Sequence, residues 1–130
     1  ENAREVMRWL LFDSQKVSGY LGPWRFLARL APETARDPAV IAFLEGRART
    51  ALAVLDAHLE SRDWIAADWI TPADLASAGS MFFEGEDPID WPAEYPAIAA
   101  WRARLAAEPG WAGPYDLMPR AHPSRATAAG

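Results

Sequence analysis

Residues 69–76 read WITPADLA, and this stretch decides the fold. Thr71 has the chemistry of a helix N-cap, its hydroxyl accepting from the backbone N–H of Asp74 while the Asp74 carboxylate reaches back to the N–H of Thr71. Pro72 falls at the first helical position, where its missing N–H costs nothing and its fixed φ suits the helix. Ile70 precedes the cap and Leu75 is the fourth helical residue, the spacing of a hydrophobic staple. Removing either half of such a box costs about 0.5–2 kcal/mol. The spacing predicts a helix from Pro72 to about Phe83 that places Leu75, Ala78 and Phe82 on one side.

Outward from this box, helical periodicity dominates. Asp37 caps and Pro38 opens a segment reaching Ser61, in which Ile41, Leu44, Ala48, Leu52, Leu55 and Leu59 form one stripe. Arg47, Arg49, Asp56 and Glu60 lie mostly off it. A third helix starts near Pro96, turns Ile98, Trp101 and Leu105 inward, and stops at Pro109-Gly110. Between them, EGEDPIDWPAE, rich in proline and acid, reads as a loop, and DWIAADWI is the one stretch compatible with extended backbone. The expected fold class is all-α, a bundle of about five to six helices. It occupies residues 1–119 as one domain, with a small, polar, flexible tail at 120–130.

The first helix differs from the rest. It runs from Arg4 to about Ser18, punctuated after that by Gly19, Gly22 and Pro23, with WRFLARL as another short helix. Val6, Met7, Trp9, Leu10, Leu11 and Phe12 are spread around the cylinder, and the widest arc they leave is only about 100°. A helix apolar on nearly all sides is buried on nearly all sides. Either it is the central helix of a compact bundle, or a further domain or a second subunit covers part of it.

Composition narrows the functions. The 130 residues are 51% hydrophobic and 12% aromatic, with seven tryptophans, enough to bury roughly two-thirds of the unfolded surface. A net charge of −5, without a cluster of Lys or Arg, argues against gripping nucleic acid or an anionic membrane. Cysteine is absent, which removes disulfides, thiolate nucleophiles and Cys-ligated metal. Neither a signal peptide nor a bilayer-spanning stretch is visible, so a cytoplasmic location is the default expectation. The chain opens on Glu1 rather than methionine, as a fragment or processed product would.

No catalytic or metal-binding residue stands out. His58 and His122 are far apart, and there is no metal-ligand spacing, phosphate loop or nucleophile elbow. His58 reads as a solvated or hydrogen-bonded helical residue. Asp13 and Lys16 read as a modest surface pair three residues apart, the alternative being a polar contact to a ligand above the helix. Tyr20 and Trp24, around the Gly-Pro break, fit either a pocket wall or the core.

The order of these signals resembles the C-terminal helical domain of glutathione transferases. FLEGRARTALAVLDAHLESRDWIAADWITPADLA, followed by YPAIAAWRARLAAEPGW, is similar to the family's long helix, short loop, T-x-x-D box and Y-P-x-I-x-x-W helix. The likeness covers about Glu5 to Trp111, and WAGPYDLMP is similar to a bacterial branch. Thr71 and Asp74 match the family's capping box, which implies a structural role for both. The common P-T-I-A-D is here Ile70-Thr71-Pro72-Ala73-Asp74, and a common loop glycine is Ala67.

The larger departure from the family is that residues 1–130 contain no thioredoxin-like domain. In the family that domain binds glutathione and supplies the thiolate-stabilising residue, so the resemblance assigns no catalytic residue to this chain. It implies a parent protein that conjugates glutathione, its co-substrate, to a hydrophobic electrophile, while this chain alone binds no glutathione. It implies also that this domain provides the apolar electrophile site and part of a homodimer interface. The corresponding pocket lies against the first helix and the segment after it, which points to Trp9, Phe12, Lys16, Tyr20 and Trp24. The first four recur at intervals of three or four and share a side if the helix continues through Gly19. The plainer account makes Trp9 and Phe12 core and Lys16 a solvated charge. The alternative function is a non-catalytic interaction module of the same fold, and a weaker one is a stand-alone domain for a hydrophobic ligand.

Overall fold

A computed structural model describes residues 2–118, so the expected tail at 120–130 and His122 lie outside the described residues. Among the described residues all regular structure is helical. The N-terminal portion is a single rod. Helix α1 (Asn2–Phe12) passes through a π-helical turn (Asp13–Val17) into α2 (Ser18–Arg25), and a second π-helical turn (Phe26–Leu30) completes it. The expected break at Gly19, Gly22 and Pro23 does not occur. Pro23 sits inside α2, and Gly19 lies where an added Cβ would stand 2.8 Å from the Ser14 carbonyl oxygen. Glycine here leaves room for the turn beneath it, so it sustains the rod instead of ending it. The rod stops at Ala31, whose backbone turns extended before Pro32.

Helix α3 (Pro38–Leu59) is capped by Asp37, which accepts from the Ala39 N–H at 2.9 Å. Its buried residues are Ala48, Ala51, Leu52, Leu55 and Leu59, while Ile41 and Leu44 pack at the core's edge. The stripe is therefore wet at its first turn. Helix α2 lies against α3, α1 against α4 (Pro72–Ala78), and α6 (Pro96–Ala106) against α3. Asp56, off the stripe, has a long-range function: its carboxylate accepts from the Ile98 N–H at 2.8 Å, capping α6 from the neighbouring helix. Ile98, Trp101 and Leu105 are buried as the spacing predicts.

Other expectations also need correction. Helix α4 ends at Ala78 rather than near Phe83, and Leu75 points to solvent. The buried face is Ala73, Asp74, Ser77 and Ala78, because the polar box, not a leucine stripe, is what the neighbours pack on. Within the acidic loop, Trp91–Glu94 forms a short helix, α5, over a buried Trp91. Asp90 accepts there from the Ala93 N–H, and Glu94 accepts from the Asp90 N–H at 2.7 Å. DWIAADWI contains no strand; it is a series of bends that buries Ile65 and Ala66. A last turn, α7 (Pro114–Leu117), closes the described chain.

Candidate functional site

Because the rod is continuous, Phe12, Lys16 and Tyr20 rise at four-residue intervals along one of its faces. Opposite them on α3 stand Arg47, Thr50, Ala51 and Val54. Together these side chains line a cavity of about 260 Å³. The rod supplies its aromatic wall and α3 its floor. Arg47, Thr50 and Val54 are themselves spaced three and four apart, a second helical face that the sequence displays but that the buried stripe of α3 overshadows.

Phe43 organises the rim. Its ring meets Tyr20 edge-on at 6.5 Å between centroids, and the Arg47 guanidinium lies over it at 5.3 Å. The Thr50 hydroxyl donates to the Gly46 carbonyl at 2.8 Å. Lys16 and Arg47 have no ion pair among the described residues. The remaining two aromatics named from sequence lie elsewhere. Trp24 is core, beneath the Arg49 guanidinium. Trp9 is buried edge-on to Phe12 and against the His58 ring at 4.2 Å. Trp9 thus backs the cavity wall through Phe12 without lining it.

His58 is hydrogen-bonded, as its isolation suggested. Its Nε2 lies 2.7 Å from the Ile65 carbonyl, an acceptor, so that nitrogen carries the proton. Burial pushes the imidazole below its ordinary pKa, which leaves it neutral at pH 7.

Asp13 is not the surface partner of Lys16. The π-turn carries it inward, where both carboxylate oxygens lie within 3.0 Å of the Ser18 hydroxyl, five residues on. Ser18 lies 3.1 Å from the Ser80 hydroxyl. Burial raises the Asp13 pKa above the usual carboxylate range, against the lowering effect of the Ser18 and Ser77 hydroxyls. An i,i+5 pair matches a π-turn and not an α-helix, so helical spacing could not reveal it. Nearby, Arg25 forms a buried ion pair with Asp87 at 2.6 Å and donates to the Ser80 carbonyl.

The capping box does more than cap. Fully buried Asp74 accepts from the Thr71 N–H at 2.9 Å and the Thr71 hydroxyl at 3.2 Å. Its other oxygen accepts from the Ile65 N–H and the Trp101 indole N–H, both at 2.9 Å. The Thr71 hydroxyl oxygen also accepts from the Ala73 N–H at 3.2 Å. One carboxylate thereby joins the 61–70 loop, α4 and α6.

Among the described residues no group of three or more His, Asp or Glu is placed to hold a metal, and no helix is long and apolar enough to cross a membrane. The cavity offers donors and aromatic faces but neither an activated nucleophile nor a base, which suits reception of a ligand rather than its chemical activation.

Residues 25–109 match the family model described as glutathione S-transferase, C-terminal domain. Among solved structures, the chain resembles a glutathione S-transferase from Xanthobacter autotrophicus Py2, with a TM-score of 0.79 and 30% identity over 89% of this chain and 57% of that one. It resembles also a possible glutathione S-transferase from Rhodopseudomonas palustris, with a TM-score of 0.73 and 25% identity over 95% and 60% of the two chains. A glutathione S-transferase from Pseudomonas fluorescens Pf-5 gives 0.73 and 25%, over 83% and 53%. The chain spans less than two thirds of each of these proteins.

Proposed function

The chain belongs to the glutathione S-transferase C-terminal domain family, and from that premise we propose that it is the helical part of a protein that conjugates glutathione to a hydrophobic electrophile. A thioredoxin-like domain outside this chain would hold glutathione as a thiolate. The thiolate sulfur attacks the electrophilic carbon, the C–S bond forms, and the leaving group departs with the bonding pair. This domain's part is to hold the electrophile in line.

The observation that carries this reading is the cavity itself, an aromatic wall of Phe12 and Tyr20 with Lys16 between them on the same helical face. The rings bind an apolar body, while the Lys16 ammonium or the Tyr20 hydroxyl stabilises charge developing on the leaving group. Trp9 supports that wall from the core through Phe12. We assign the protein to a homodimer, supported by Met7 and Leu11 of α1, apolar side chains each more than half exposed on a helix whose one buried residue is Trp9.

The test is steady-state kinetics of the full-length protein with an aryl halide. Tyr20→Phe and Lys16→Ala are each expected to lower turnover about tenfold, within the range for one lost transition-state donor or less, with glutathione affinity nearly intact. Unchanged turnover in both variants assigns these residues to packing and solubility. A parent protein without any conjugating activity favours the non-catalytic interaction module, for which the exposed Met7 and Leu11 are the supporting observation.

A further inference from the structure

Taking the cavity between the rod and α3 as the electrophile site, as above, we propose that its occupant is an anion, a single-ring aryl compound bearing a carboxylate or a similar charge. The donors and acceptors around the cavity carry this assignment. Lys16 and Arg47 both line it, and neither has an ion pair among the described residues. Arg8, Arg25, Arg49, Arg102 and Arg104 each meet a carboxylate, and Arg4, Arg29, Arg36 and Arg62, likewise without an ion pair among the described residues, stand outside this cavity. What sets Lys16 and Arg47 apart is that two unpaired cations share one cavity, on a chain whose net charge is −5.

No carboxylate lines the cavity. The Thr50 hydroxyl proton is committed to the Gly46 carbonyl, leaving the ammonium, the guanidinium and the Tyr20 hydroxyl as the groups able to donate inward. A ligand that satisfies them brings acceptors, and a carboxylate brings two oxygens that fit a guanidinium. Stacking on Phe43 restricts Arg47 beforehand, so less side-chain freedom is lost on binding. Phe12 and Tyr20 provide faces for one ring, and about 260 Å³ is below the roughly 300–1,000 Å³ of pockets for larger ligands.

The probes are 4-chloro-3-nitrobenzoate and its neutral isostere 4-chloro-3-nitrobenzamide, titrated into the full-length protein by tryptophan quenching. In either one, glutathione thiolate displaces chloride, with the C–S bond formed and the C–Cl bond broken. The benzoate is expected to bind about tenfold tighter, a preference that shrinks roughly threefold in Lys16→Ala or Arg47→Ala and falls with added salt, as two partly exposed charge contacts would give. Arg47→Lys keeps the charge but loses the two-pronged fit, so it is expected to fall between the parent and Arg47→Ala. Equal binding of the two probes overturns the anion assignment while leaving the electrophile site standing. Absence of binding by both overturns the site and the assignment together. If Lys16→Glu dissociates a dimer and neither probe binds, a second copy fills the cavity and the assignment falls.

Discussion

Helix α4 and the N-terminal rod pack against each other, yet they are specified in different ways. Helix α4 begins with a local instruction, a threonine, a proline and an aspartate at fixed offsets, and tertiary structure then builds on the same carboxylate. The rod carries contrary local instructions in Gly19, Gly22 and Pro23, and continues because its neighbours accept it. The first region shows a rule reinforced by packing; the second shows packing overriding a rule. The override shapes the cavity, since only an unbroken rod aligns Phe12, Lys16 and Tyr20 on one of its walls.

The largest expected effect concerns α4. Asp74→Ala strips the partner from four donors in or beside the core. At about 1–3 kcal/mol for each buried group left unsatisfied, the loss in urea denaturation should exceed roughly 3 kcal/mol. Thr71→Ala removes one cap acceptor and should cost about 1 kcal/mol. The double variant should fall short of the sum, because the two residues share bonds. Equal, small losses would reduce Asp74 to an ordinary cap and erase the contrast with the rod.

Two glycines sharpen the comparison from the other side. A Cβ at Gly19 meets backbone at 2.8 Å, whereas one at Gly22 meets nothing within 4 Å beyond its chain neighbours. Gly19→Ala should therefore destabilise by about 1–3 kcal/mol, the usual cost of overpacking. Gly22→Ala should change stability by less than about 1 kcal/mol, its gain in helix propensity offset by the Cβ meeting the ring of Pro23, which follows it in the helix. Thermal melts in which Gly19→Ala costs no more than Gly22→Ala would mean that Gly19 is not what accommodates the π-turn.

The smallest effect is a pH dependence in that turn. Burial raises the Asp13 pKa above its ordinary 3.8, so between that value and the folded one the native state binds the proton more tightly than the unfolded chain. Stability contributed by this group is therefore lost as pH rises through that window. Asp13→Asn removes the titration, and the stability difference between variant and parent should move in the variant's favour from acid to neutral pH. A difference independent of pH would place Asp13 in contact with solvent.

Much of this fold is legible because its decisive residues act on near neighbours: Asp37-Pro38, Thr71-Pro72 and Tyr95-Pro96 each mark a start within a residue, and the α3 stripe follows from a regular period. The resemblance added the order in which these pieces pack. What escapes is what depends on distance or on a changed period. Asp56 capping α6, Asp74 bonding Trp101, and Asp13 turned inward by an i,i+5 geometry have no signature in a window of helical spacing. Of the cavity, the rod's half was visible as Phe12, Lys16 and Tyr20. Arg47 and Val54 were not, because a charged residue and an exposed valine off the main stripe resemble ordinary surface until another helix faces them.

The claim on which the functional account rests is that a conjugated aryl ring occupies the cavity between the rod and α3. Backbone amide shifts of the full-length protein, recorded while S-(2,4-dinitrophenyl)glutathione is titrated in, test it directly. The account predicts saturable shifts centred on Phe12, Lys16, Tyr20 and the Arg47–Val54 turn of α3. Saturation with those amides silent and the shifts gathered elsewhere on the helical domain would contradict it.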